Sequence, residues 1–133
     1  DAGEIGAGHS VTALYEVQLK PEAVRSAGKI ASLHLRYRVP VTGELRETIH
    51  DLRASQLVAD WKDASPGFRL ASLVVEFAET LRGSSHGGDL HKIQRRAQRV
   101  VGEMAGKARS ADVAEFARLV EEAARIKEAA EKK

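Results

Sequence analysis

Two hydrophobic periods divide the chain. From Ser10 to Leu19 the odd positions Val11, Ala13, Tyr15, Val17 and Leu19 are apolar, while Thr12, Glu16 and Gln18 are polar and Leu14 breaks the pattern. Strand side chains point alternately to opposite faces, so a period of two predicts a half-buried strand. Lys29–Val39 repeats the pattern more cleanly: Ala31, Leu33, Leu35, Tyr37 and Val39 fall on one face, and Ser32, His34, Arg36 and Arg38 on the other. Pro40-Val41-Thr42-Gly43 has turn chemistry, because proline fixes φ and glycine permits positive φ. Glu44–Leu52 then returns as a third, weaker strand, antiparallel to the second.

The second half has the helical period. Ser65 followed by Pro66 predicts an N-cap with proline at the first helical position, where a missing N–H costs nothing. Leu70, Leu73, Val74, Phe77, Ala78 and Leu81 then form one apolar stripe. Residues 83–88 are a glycine- and serine-rich loop, and Asp89 is placed to cap the next helix. That helix has the stripe Leu90, Ile93, Ala97, Val100, Val101 and Met104, with Gly106 as its stop. Ser110 is the expected cap of a last helix whose stripe is Val113, Phe116, Ala117, Val120 and Ala124. Its final turns are nearly all Ala, Glu, Lys and Arg, a composition for a solvated, frayed end.

These elements predict an α+β architecture, a small three-stranded antiparallel sheet followed by a three-helix bundle. The expected division is a β-strand subdomain over 1–62 and a helical subdomain over 63–133. Residues 54–64 connect them, and Trp61 is expected to pack at the junction, since so large an aromatic is rarely left in water.

Composition narrows the chemistry. At 133 residues, 43% hydrophobic and 30% charged, the chain has the make-up of a folded globular domain. A net charge of +2 does not make nucleic acid the expected partner. The lack of cysteine removes disulfides, thiolate catalysis and cysteine zinc sites. No stretch approaches the roughly 20 apolar residues that span a bilayer. The opening Asp1-Ala2-Gly3-Glu4, without an initiator Met, reads as a cut inside a longer protein.

No chemical motif emerges from the remaining residues. His9, His34, His50, His86 and His91 have no metal-ligand spacing on a helix and read as separate surface or packing residues. The Gly3, Gly6 and Gly8 series precedes a strand, so it has no helix N-terminus for a phosphate and reads as a turn. Asp63-Ala64-Ser65-Pro66-Gly67 begins like the metal-dependent adhesion motif Asp-x-Ser-x-Ser but has Gly67 at the second serine, which leaves too few oxygens for magnesium. The serines have no Gly-x-Ser-x-Gly setting, and no carboxylates form a recognisable acid–base pair. No catalytic residue, cofactor or metal ligand is therefore expected. The strongest hint is Lys92, Arg95, Arg96 and Arg99 on one helix face, within a segment 89–109 that has six basic and two acidic residues. Such a stripe can hold phosphates or an anionic lipid surface. Its ordinary reading is a solvated face that pairs with neighbouring acidic helices.

Two segments have a family likeness. The segment Asp1–Val17, with the string Gly6-Ala7-Gly8-His9-Ser10-Val11-Thr12-Ala13-Leu14-Tyr15-Glu16 within it, and the segment Ser65–Ser84, with Phe68-Arg69 and Leu81-Arg82 within it, resemble the C-terminal region of bacterial von Willebrand factor A-domain proteins. The resemblance implies an α/β A domain, with its metal adhesion site, N-terminal to this chain. It implies no activity for this region, so Gly6, Gly8, His9, Thr12 and Tyr15 take structural roles. It also implies the cell envelope or periplasm.

The leading expectation is a non-catalytic accessory or interaction module. Its partners would be the preceding A-domain region of the same polypeptide and a protein that the sequence does not name. The alternative is an anion-binding module acting through the basic helix 89–105.

Overall fold

The computed structural model describes residues 6, 8–25, 28–106 and 110–132. In chain order the elements are α1 (Pro21–Arg25), β1 (Lys29–Arg38), β2 (Leu45–Arg53), two 3-10 turns (Ala54–Gln56 and Trp61–Asp63), α2 (Pro66–Arg82), α3 (Leu90–Met104) and α4 (Ser110–Glu131). They pack as two units. One comprises the described residues of 1–14 and 60–133, the other residues 15–59.

The helices begin and end where local chemistry directs. The Ser65 hydroxyl accepts the Phe68 N–H at 3.3 Å, and Asp89 accepts the Lys92 N–H at 2.9 Å. Gly83, at φ 73°, ends α2, and the Ser84 N–H bonds back to the Glu79 carbonyl. This is a Schellman closure, which needs the left-handed conformation that glycine adopts freely. Ser110, expected as a cap, is instead the first residue of α4, and the position before it lies outside the described residues.

α3 is the centre of the helical unit. Its Leu90, Ile93, Ala97 and Val100 are buried against Leu73 of α2 and Val113, Val120 and Ala124 of α4. The α3 and α4 stripes are thus buried or half-buried throughout, as their spacing predicts. The α2 stripe is not: Leu73 is buried and Leu70 and Phe77 are half-buried, but Val74 and Leu81 are 43% and 62% exposed. α2 packs chiefly on α3 and only slightly on α4, so a broad stripe has one neighbour to bury it. Phe77 reaches α4 through an edge-to-face contact with Phe116, with ring centroids 5.8 Å apart.

The loop between α2 and α3 is clamped by Thr80. Its hydroxyl accepts the Gly88 N–H at 2.7 Å and bonds to the Glu76 carbonyl at 2.6 Å. Gly87 lies so close that an added Cβ would come within 2.8 Å of Thr80 Cα.

In the other unit β1 and β2 form an antiparallel hairpin, with Leu33 opposite His50, Leu35 opposite Thr48 and Tyr37 opposite Arg46. The turn is the expected one: Gly43 has φ 69° and its N–H bonds to the Val39 carbonyl. The sheet has two strands, not three. Ser10–Leu19 joins no ladder, and the short α1 follows it. Alternation marks which side chains share a face, whereas a ladder also needs a partner for the backbone N–H and C=O groups. No described segment supplies that partner.

The core makes two tests specific. Leu73→Ala should lower unfolding free energy by about 2–5 kcal/mol in denaturant melts, and Gly87→Ala by about 1–3 kcal/mol through the Thr80 clash. Losses under about 0.5 kcal/mol would remove α2 from the core or the clamp from the loop. The Lys92 N–H holds the Asp89 carboxyl below its ordinary pKa of 3.8, so its cap contribution is present above that pH and is lost as pH falls through the depressed value. The stability advantage of the parent chain over Asp89→Asn should therefore shrink as melts are taken below about pH 4. An advantage independent of pH would remove the charged cap.

Candidate interaction surfaces

The basic helix face divides into a structural cation and three free ones. Lys92, Arg95, Arg96 and Arg99 are all exposed on α3. Arg96 bonds to Glu76 of α2 at 3.0 Å, and its guanidinium lies 5.6 Å from the centroid of the Trp61 ring. Lys92, Arg95 and Arg99 form no ion pair among the described residues. Lys107 and Arg109, counted in the basic segment, lie outside those residues.

Trp61 is part of the helical core, where it fastens the start of this unit. Its indole N–H donates to Ser72 Oγ at 2.8 Å, and the Arg69 guanidinium lies 5.5 Å from its ring. Arg69, 4% exposed, makes a two-pronged ion pair with Glu103 of α3. The hydrogen bond to Glu103 raises the Arg69 pKa above its ordinary value, against the opposing effect of burial. Arg69 Nε has no hydrogen-bond partner among the described residues. An aromatic between two guanidiniums, each tied to a carboxylate, joins the Trp61 turn to α2 and α3.

The glycine string closes a turn. The His9 N–H bonds to the Gly6 carbonyl at 3.1 Å, with Gly8 at φ 81°. Gly8 is thereby suited to a position that a side chain would strain. Gly3 lies outside the described residues. Beyond the turn, Thr12 and Leu14 line an apolar groove of about 490 Å³ with Leu70 and Val74 of α2 and Val113 and Phe116 of α4. Leu14, which breaks the alternation, is 37% exposed, against 72% for Val11, 76% for Tyr15 and 66% for Val17. The histidines are dispersed: His34 pairs with Glu47 at 3.0 Å and His91 with Glu128 at 3.2 Å. Among the described residues no group of three His, Cys, Asp or Glu side chains could hold a metal, and no helix is long and apolar enough to cross a membrane.

The hairpin has an exposed apolar row on β1. Leu33, Leu35 and Tyr37 share one face of β1 and are 46%, 47% and 49% exposed. On the opposite face Ser32 donates to Asp51 at 2.6 Å, and Lys29 lies 3.5 Å from the same carboxylate. These contacts, the Ser32 hydrogen bond first, lower the Asp51 pKa.

A family model described as "Uncharacterized protein YfbK, C-terminal" matches residues 1–126. The chain belongs to this family. No curated protein and no solved structure matches it. The YfbK C-terminal match includes the hairpin, α2, α3 and α4 as far as residue 126, so residues of both units belong to one family region.

Sequence reasoning located the basic face but missed Arg69, Glu76 and Glu103. A signal existed: Arg69 is one turn before Leu73, on the side of α2 that must be buried, with a tryptophan shortly upstream. A charge there requires an oppositely charged partner. The structure separates the four cations by experiment as well. Arg96→Gln should cost on the order of 1 kcal/mol through loss of the Trp61 contact, whereas Lys92→Gln, Arg95→Gln and Arg99→Gln together should leave thermal stability almost unchanged. Equal losses in the two variants would mean that Arg96 is as free as its neighbours.

Proposed function

We propose that this chain is a non-catalytic accessory and interaction module of a von Willebrand factor A-domain protein of the bacterial cell envelope. The carrying observation is the apolar row of β1, with Leu33, Leu35 and Tyr37 close to half exposed on a sheet of two strands. A two-stranded sheet is marginal alone and becomes stable when strands are added or its apolar face is covered. A contiguous exposed apolar patch marks an interaction surface. The likeness of residues 1–17 and 65–84 to the region that follows an A domain supports that domain as the partner and the envelope as the location. The anion-binding alternative has Lys92, Arg95 and Arg99 in its favour, while Arg96 is committed to Glu76 and Trp61.

The test is calorimetric titration of the chain with the purified A-domain region of the same polypeptide at about 0.15 M salt, where exposed charges are screened beyond roughly 8 Å. Saturable binding that weakens at least tenfold in Leu35→Ser is the expected result. No binding to the A domain, together with tight binding to duplex DNA or anionic vesicles abolished by the Lys92, Arg95 and Arg99 to Gln changes, would replace this reading with the anion-binding one.

A further inference from the structure

β1 has a free edge and an unbalanced charge. Among the described residues β2 is its one ladder partner, so its other edge presents unpaired backbone groups. α1 packs on β1 and on the 3-10 turn that follows β2, which places it at the Lys29 end of the hairpin. The strand Lys-Ile-Ala-Ser-Leu-His-Leu-Arg-Tyr-Arg has three permanent cations, Lys29, Arg36 and Arg38, and no acid. On one side β2 meets part of this charge: Asp51 takes Lys29 and Ser32, and Glu47 takes His34. Arg36 is opposite Glu47 in register but makes no ion pair among the described residues, and Arg38 donates to the neutral Gly43 carbonyl at 2.8 Å. The uncompensated positive charge therefore gathers at the Arg36–Arg38 end, next to the apolar row Leu33, Leu35 and Tyr37.

We propose that the free edge of β1 receives a partner strand whose residues alternate between apolar and acidic. Cross-strand neighbours share a face. A strand added beside β1 would lay its apolar residues along Leu33, Leu35 and Tyr37 and its carboxylates along His34, Arg36 and Arg38. Backbone bonds would supply affinity and the alternating side chains specificity, which is the logic of strand addition to a sheet edge. A second copy is a poor occupant of this edge, because two β1 strands side by side would bring cations together without one acid between them. This inference rests on the interaction-module reading and names the chemistry of its partner.

The test uses the whole 133-residue chain and two end-capped ten-residue peptides, one alternating valine with glutamate and one alternating valine with lysine. Fluorescence anisotropy should give at least tenfold tighter binding of the glutamate peptide. Amide hydrogen exchange should slow along β1 and not along β2 when that peptide is added. Arg36→Glu with Arg38→Glu should reverse the preference, and Arg36→Gln with Arg38→Gln should abolish it, the fold being checked by circular dichroism. Equal binding of the two peptides, or a preference unchanged in both double variants, overturns the proposal. So does sedimentation of the chain as a dimer that protects β1. A glutamine double variant that binds the A domain as tightly as the parent chain also overturns it, and leaves the interaction-module reading standing. Failure of the parent chain to bind the A domain overturns that reading, whichever peptide is preferred.

Discussion

Burial of the α3 seam between α2 and α4 is the contact on which the helical unit depends. Ile93, Ala97 and Val100 lie one helical turn apart and meet Leu73 from one side and Val113 and Val120 from the other. Residues at this spacing share a face, so a single row can serve two neighbours only if those neighbours flank it. That requirement turns the polar side of α3 outward. It also leaves α2 and α4 nearly apart, with the apolar groove between them.

A second constraint is superimposed on this core. Arg69 is buried in α2, and a buried cation is costly unless it is paired and hydrogen-bonded. Glu103 pairs with it, and Trp61 presents its ring to the same guanidinium. The ring also receives Arg96, which Glu76 holds from α2. These contacts bind the turn before α2 to both helices. They also give one member of the basic face a structural task and leave Lys92, Arg95 and Arg99 in solvent.

The hairpin differs from the bundle in what it can bury. In the bundle the α3 seam is covered by α2 and α4, which leave an apolar groove between them. Two strands have a row of leucines and a tyrosine close to half exposed, and a cationic strand whose outer edge has no ladder partner among the described residues. An open strand edge and an exposed apolar row are surfaces that a further strand can cover. The YfbK C-terminal family model matches residues of both units.

The sequence alone determined whatever depends on near neighbours. Ser65 and Asp89 as caps, Gly43 in a left-handed turn, and the buried rows of α3 and α4 all follow from spacings of a few residues. So do the β1–β2 pair and its turn. Tertiary structure decided the rest. Leu14 broke a strand pattern in the sequence, and only the groove beneath it accounts for that. Val74 and Leu81 belong to the apolar stripe of α2, but one flanking helix is too few to cover it. Trp61, expected at a junction, fits among Arg69, Ser72 and Arg96, residues that meet only when α2 and α3 pack. The first strand lacks a ladder because backbone pairing needs a second chain segment, and periodicity within one segment has no information about its partner. Local spacing thus defines faces, while burial, charge pairing and strand partnership are relations between distant residues that exist only once the chain has folded.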